Sequence, residues 1–157
     1  LREAAGGAGT LSARARQVVQ RVLADGRLLE DHEFFVAAEL LGAFLDACPD
    51  PQGVVLLNGL PRHVGQARDV GHLVRVGAVV HLDAPAAVLY ERIRENRGGD
   101  RLGRPDDDPA AVAARLARFE ARTRPLVVHY EAIGVSVRRV PVAVATQASD
   151  VLRALGA

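Results

Sequence analysis

The stretch VVLLNGLPRHVGQ, residues 54–66, joins a hydrophobic run to a loop of glycine, proline and arginine. Its start, Val54–Leu57, predicts a buried strand, because four consecutive aliphatic residues fit the interior of a sheet. Asn58 and Gly59 then end the strand in a loop, and a proline and Arg62 follow at once. In α/β proteins, ligands bind at loops that follow the carboxyl ends of strands. The alternative at this point is a surface turn that carries a solvated arginine.

Helix and strand patterns alternate on both sides of this stretch. Predicted helices cover about 10–25, 31–47, 66–76, 85–97, 109–130 and 148–155, and predicted strands cover 54–57, 78–82 and 135–140. Thr10 and Asp31 are predicted N-caps, and Asp108 with Pro109 combines an aspartate cap with a proline at the first helical position. The helix that begins at Pro109 is predicted to bend or restart at Pro125. Strands separated by helices of this length predict the α/β class, with a parallel sheet and helices on both faces.

Length and composition exclude several classes of protein. The 157 residues suffice for one domain, 1–157, with 49% hydrophobic and 25% charged residues. A formal net charge of +1 gives no reason to expect nucleic acid. Cys48 is the only cysteine, which excludes an internal disulfide and a multi-cysteine metal site. No apolar run approaches the roughly 20 residues of a membrane span, and no signal pattern is visible, so a cytoplasmic location without a membrane partner is predicted.

The basic residues are distributed unevenly. All 20 are arginine, and several stand where predicted loops meet helices: Arg62, Arg97, Arg101, Arg104 and Arg115. A guanidinium group stays charged at any working pH and presents a planar fork of donors that matches phosphate oxygens. The alternative is a set of solvated surface pairs with Asp106, Asp107 and Glu120.

Four groups of residues occur in a recognisable order: GLPRHVGQ (59–66), VVHLDAP (79–85), GRPDDD (103–108) with ARL (114–116), and TRPLVVHY (123–130). Together they resemble the adenylate kinase family of nucleoside monophosphate kinases, over essentially the whole chain, and this resemblance displaces the surface-turn interpretation. It implies a P-loop nucleoside monophosphate kinase-like fold with a short lid. It also implies transfer of the terminal phosphate of ATP to AMP, with Mg²⁺ as cofactor, ATP and AMP as partners, and a monomeric protein.

The resemblance places an acceptor site within a monophosphate-binding region of about 1–47 and the loop that follows residue 57. Arg62, in the loop that begins at Gly59, is expected to grip the phosphate of AMP, and Gln66 is expected to hydrogen-bond the adenine edge. Arg2 is expected to reach the same phosphate. The strip that lines the base and ribose is Arg27, Leu28 and Leu29.

The transferring phosphoryl group is expected to lie between Arg104 and Arg115, which with Arg62 are the implied catalytic residues and also contact AMP. The lid is expected at about 97–107, with Asp106 and Asp107 as partners of Arg104 and Arg115. Residues implied on the ATP side are Arg92, Arg97 and Thr146.

The sequence departs from the family at several positions. Asn58 stands where the family has an aspartate that orders water around Mg²⁺, so at most an indirect magnesium contact is expected there. Asn96 occupies an arginine position, with Arg97 one residue beyond. The chain has no lysine and so lacks the family's phosphate-binding loop, and the 157 residues are expected to be inactive alone. The alternative function is a degenerate, non-catalytic nucleotide-binding or scaffold member of the family.

Overall fold

A computed structural model describes residues 11–50, 52–97, 99 and 108–156. The backbone divides into two compact units, one up to Arg75 and the other from Val76. The single domain expected from the length stays a prediction.

The amino-terminal unit packs three helices around an aliphatic core. Helix α1 is Ala13–Ala24, a 3₁₀ turn spans Asp31–Glu33, helix α2 is Phe34–Asp46 and helix α3 is Val64–Leu73. The buried side chains come from one stripe of each helix, at the spacing of an amphipathic helix that faces a core. They are Ala15, Val18, Val19, Val22, Phe34, Val36, Ala37, Leu41, Ala67 and Val70.

The starts of the first two helices differ from the predicted ones. Ser12 caps α1, because its side-chain oxygen accepts a hydrogen bond of 3.1 Å from the amide of Ala15. The predicted cap, Thr10, lies outside the described residues. Asp31 is the first residue of the 3₁₀ turn, and Glu30 occupies the cap position in a reciprocal capping box. Predicting Asp31 as the cap was therefore wrong by one residue.

Residues 54–57 do not form the predicted strand. The segment has no strand assignment, and side-chain exposure alternates, with Val54 at 102% and Leu56 at 87% exposed while Val55 and Leu57 are half-buried. Alternation of this kind matches a strand backbone. A strand also needs a neighbour for its N–H and C=O groups, and within the described residues none pairs with this segment.

The carboxyl-terminal unit contains a parallel pair of strands. Strand β1, Ala78–Asp83, pairs with strand β2, Ser136–Pro141, in continuous register from Ala78 opposite Ser136 to Asp83 opposite Pro141. This ladder confirms the α/β class with a parallel sheet, as the alternating pattern predicted.

Helices connect and follow the two strands, as a crossover between parallel strands requires. They are α4 (Ala86–Arg94), α5 (Pro109–Arg118), α6 (Pro125–Ala132) and α7 (Ala148–Leu155). A π turn over Phe119–Thr123 joins α5 to α6. In the part of the chain that the structure describes, no helix is long and apolar enough to cross a membrane.

The predicted start of α5 is confirmed, and a new helix begins at Pro125, as the restart alternative predicted. The carboxylate of Asp108 accepts hydrogen bonds from the amides of Ala110 at 2.9 Å and Ala111 at 3.2 Å. Just before Pro125, the Arg124 amide donates to the carbonyl of Phe119, five residues back, at 2.9 Å. Proline has no N–H to continue the helical ladder, and the wider π turn ahead of it separates α5 from α6.

The cap of α5 gives a stability prediction. Replacing Asp108 by alanine removes the acceptor for two amides and should lower the free energy of unfolding by about 1 kcal/mol in urea denaturation. Asp108→Asn keeps an acceptor oxygen at the same place and should remain close to the wild-type value. Equal losses in both variants would show that the charge, and not the cap, stabilises the helix.

Candidate functional site

A cavity of about 450 Å³ opens in the amino-terminal unit. Its volume is within the range of small-molecule sites, which are mostly apolar with a few polar groups. The polar side chains on its wall are Arg27, Asn58, Arg62 and Gln66, and the apolar ones include Leu28, Leu29, Leu41, Phe44, Val55 and Leu57. Each predicted acceptor residue of this unit that the structure describes lies on the wall of this one cavity. Arg2 falls outside the described residues.

Gln66 joins the two segments that form the cavity. It lies in the first turn of α3 and is 2% exposed. Its side-chain nitrogen donates to the carbonyl of Leu29 at 3.0 Å, and its side-chain oxygen accepts from the amide of Arg62 at 2.8 Å. A primary amide has two N–H donors and two lone pairs, so each end of Gln66 keeps capacity for one further hydrogen bond.

Arg62 folds back over the loop that carries it. Its Nε donates to the carbonyl of Gly59 at 2.8 Å, and the peptide bond between Leu60 and Pro61 is cis. Gly59 has a φ of +81°, and a Cβ at this position would lie 3.0 Å from the Nη2 of Arg62. The backbone conformation therefore favours glycine here, whereas the guanidinium of Arg62 is the end of a flexible side chain and could move away from a Cβ.

His63 is a buried cap that the sequence patterns did not single out. It is 7% exposed, precedes α3, and its Nδ1 lies 3.0 Å from an oxygen of Asp31. Its Nε2 lies 3.5 Å from the Leu29 carbonyl, and the amide of Gln66 lies 3.5 Å from Nδ1. His63 thus attaches the start of α3 to the segment 29–31, alongside the bond made by Gln66. A histidine directly before a helix was the only local signal of this role.

Arg27 is paired with Glu33, a residue that no sequence pattern singled out. The two Nη atoms of Arg27 donate to the two carboxylate oxygens at 2.6 and 2.7 Å, and Glu33 is only 5% exposed. The hydrogen bonds from Arg27 lower the pKa of Glu33 from 4.5 to about 2, against the opposing effect of burial. The same pair raises the pKa of Arg27.

In the carboxyl-terminal unit, Arg92 and Thr146 lie together. The Nη1 of Arg92 is 3.0, 2.8 and 2.8 Å from the carbonyl oxygens of Ala143, Val144 and Thr146. The hydroxyl of Thr146 accepts from the amide of Ala143 at 2.9 Å. The cation of Arg92 therefore organises the carbonyls of the turn that follows β2.

Arg97 and Arg115 are the remaining predicted site residues that the structure describes. The Nε of Arg97 pairs with Glu95 at 2.5 Å, and Asn96 before it adopts a φ of +46°. Arg115 is half-buried on α5. Arg104 and the lid segment after residue 99 lie outside the described residues.

Adenylate kinases from several bacteria match this sequence, although no family model does. The adenylate kinase of Caulobacter vibrioides is 31% identical over 125 residues, which cover 75% of this chain and 61% of that protein. That of Xylella fastidiosa strain M23 is 36% identical over 127 residues, covering 76% and 63%. That of Stenotrophomonas maltophilia is 39% identical over 95 residues, covering 57% and 50%. The chain is thus similar to adenylate kinases over about three quarters of its own length. It spans about three fifths of the length of the curated relatives it matches.

The described residues of this chain offer no group of three or more His, Cys, Asp or Glu that could hold a metal ion. Asn58 is an exposed amide on the cavity wall. Mg²⁺ is commonly bound through substrate phosphates and retained waters, with few protein ligands. A neutral amide oxygen can accept a hydrogen bond from such a water, so the residues present fit a magnesium ion carried in by the nucleotide.

Gly59 gives a second prediction. Gly59→Ala should lower the free energy of unfolding by about 1–2 kcal/mol, because a left-handed conformation is costly for a residue with a Cβ. Gly71→Ala is the matched control, since no atom lies within 4 Å of a Cβ built there, inside α3. That variant should gain about 0.5–1 kcal/mol in the same urea titration. A Gly59→Ala variant as stable as wild type would contradict the strained turn.

The ion pair of Glu33 gives a pH prediction. Because folding lowers the pKa from 4.5 to about 2, the stabilisation is complete above pH 4.5 and is lost as the pH falls towards 2. The difference in unfolding free energy between wild type and Glu33→Gln should therefore shrink over this window. Glu131→Gln breaks an exposed pair with Arg139 and should show little effect. A wild-type advantage that stays constant from pH 6 to pH 2 would contradict the assignment.

Proposed function

We propose that this chain is the major part of a nucleoside monophosphate kinase that moves the terminal phosphate of ATP to AMP. The observation that carries the proposal is the single cavity that collects Arg62, Gln66 and the strip 27–29. Similarity to bacterial adenylate kinases supports nucleotide phosphotransfer in general. The acceptor, the donor, the monomeric state and the cytoplasmic location are parts of this proposal.

Recognition of AMP in this proposal uses two kinds of group. The second N–H and second lone pair of Gln66 form a donor and acceptor pair that suits the edge of adenine. Arg62, on the exposed loop of the same cavity, supplies a fixed positive charge for the monophosphate. CMP and UMP would leave part of the buried amide unsatisfied, which favours AMP by roughly 1–3 kcal/mol.

Transfer requires positive charge at the oxygens of the moving phosphoryl group, where negative charge is spread in the transition state. We assign that role to Arg115 and Arg104, with Arg62 on the acceptor side. On the donor side, Arg92, Arg97 and the carbonyl of Thr146 are assigned to ATP. Magnesium, held by the nucleotide phosphates and a water that Asn58 can contact, would neutralise donor charge.

A second function is a family member that binds nucleotides without transferring phosphate. It is favoured by Asn58, which brings no negative charge towards a magnesium ion. It predicts nucleotide binding with no turnover in the complete gene product.

The deciding experiment is a coupled assay of the complete gene product with ATP, AMP and Mg²⁺. Wild type should turn over, and Arg115→Ala should lower kcat by roughly 100-fold or more, with a smaller change in KM. Arg118→Ala, an exposed arginine on the same helix, is the matched control and should retain activity. Absence of turnover in wild type would favour the non-catalytic alternative. Near-normal kcat in Arg115→Ala would remove that residue from the transfer step.

A further inference from the structure

Glu33 is a charged residue in an apolar position. It ends the 3₁₀ turn before α2, is 5% exposed, and is followed by the buried Phe34. Its carboxylate accepts the fork of Arg27 on both oxygens and a third hydrogen bond, of 3.1 Å, from the amide of Glu30. A buried carboxylate is tolerated only when its acceptor sites are used in this way. The ion pair between Arg27 and Glu33 therefore holds the two ends of the loop 27–33 together.

The closed loop forms one wall of the cavity. It contains Leu28 and Leu29, which both line the cavity, and Arg27 also donates to the Leu28 carbonyl at 3.1 Å. The Leu29 carbonyl is the acceptor for the side chain of Gln66. The carboxylate of Glu33 thus holds the loop that carries the Leu29 carbonyl. That carbonyl in turn orients the side-chain amide of Gln66, which the proposed function assigns to adenine.

The fork of Arg27 faces inward to Glu33. Both Nη atoms bond to the carboxylate, and Nε lies 3.5 Å from Asp25. With its positive charge balanced by a buried partner, Arg27 shapes the wall of the site, whereas Arg62 lies on the loop assigned to the phosphate.

We propose that Glu33 is a positioning residue of the acceptor site, which holds Arg27 and the loop 27–30 so that Leu28, Leu29 and Gln66 fit the nucleoside. The assignment of the nucleoside rests on the proposed function. Glu33 and Arg27 then act on the nucleoside part of the ligand, while Arg62 acts on the phosphate. Comparing adenosine with AMP separates these two effects.

The test is calorimetric titration of the full chain with AMP and with adenosine. Glu33→Gln and Arg27→Gln should each weaken both ligands by the same factor, about tenfold. The double variant should lose little more than either single variant, because the two residues act as a unit. Arg62→Gln should weaken AMP and leave adenosine unchanged. An Arg27→Gln variant that loses only AMP, or a Glu33→Gln variant with wild-type affinities, would overturn the proposal.

A second control and a second measurement distinguish the positioning role of Glu33 from a general contribution of Glu33 to stability. Val19→Ala removes part of a fully buried side chain of α1, outside the loop 27–33 but in the same unit, and should lower stability. It should leave adenosine binding unchanged, and an equal loss there would overturn the positioning role. Amide hydrogen exchange at Glu30, whose N–H bonds to Glu33, should accelerate selectively in Glu33→Gln. If wild type binds neither ligand, the acceptor assignment fails, and the exchange at Glu30 alone decides whether Glu33 fixes the loop.

Discussion

The buried amide of Gln66 is the interaction on which the geometry of the cavity depends. It spans the Leu29 carbonyl and the Arg62 amide, two backbone groups 33 positions apart by their sequence numbers, in a side chain that is 2% exposed. A buried amide that lost either partner would be left unsatisfied at a cost of roughly 1–3 kcal/mol. Helix α3 holds Gln66 in place, because Ala67 and Val70 anchor the same helix in the core. The loop with Arg62 and the strip with Leu29 are therefore fixed against each other.

Sequence alone predicted the elements that local chemistry determines. Asp108 caps α5 as predicted, and α7 has its predicted bounds. Strand β1 extends one residue beyond its own predicted end. These elements were predictable because caps and periodicity are visible along the chain. The prediction of a strand at residues 54–57 was wrong, because strand formation depends on a neighbouring strand, which no local sequence pattern can show. Glu33 was missed for a related reason. A glutamate at a helix start is ordinarily solvated, and only the tertiary position of Arg27 shows that this one is buried and paired.

Exposed apolar residues occur where parallel sheets ordinarily bury them. Val54 and Leu56 in one unit and Val80 and Leu82 in the other are 102%, 87%, 40% and 53% exposed. The relatives align with this chain over about three fifths of their own length. Phosphate transfer is accordingly a proposal for the whole protein, whereas the cavity proposed as the acceptor site is formed by side chains of this chain.

Amide chemical shifts of the ¹⁵N-labelled chain during titration with AMP show whether this cavity binds the nucleoside monophosphate. If it does, the amides of Leu29, Gly59, Arg62 and Gln66 shift together with one dissociation constant, and CMP at the same concentration shifts them less. Shifts confined to the turn near Thr146, or equal shifts with CMP and AMP, would contradict this assignment.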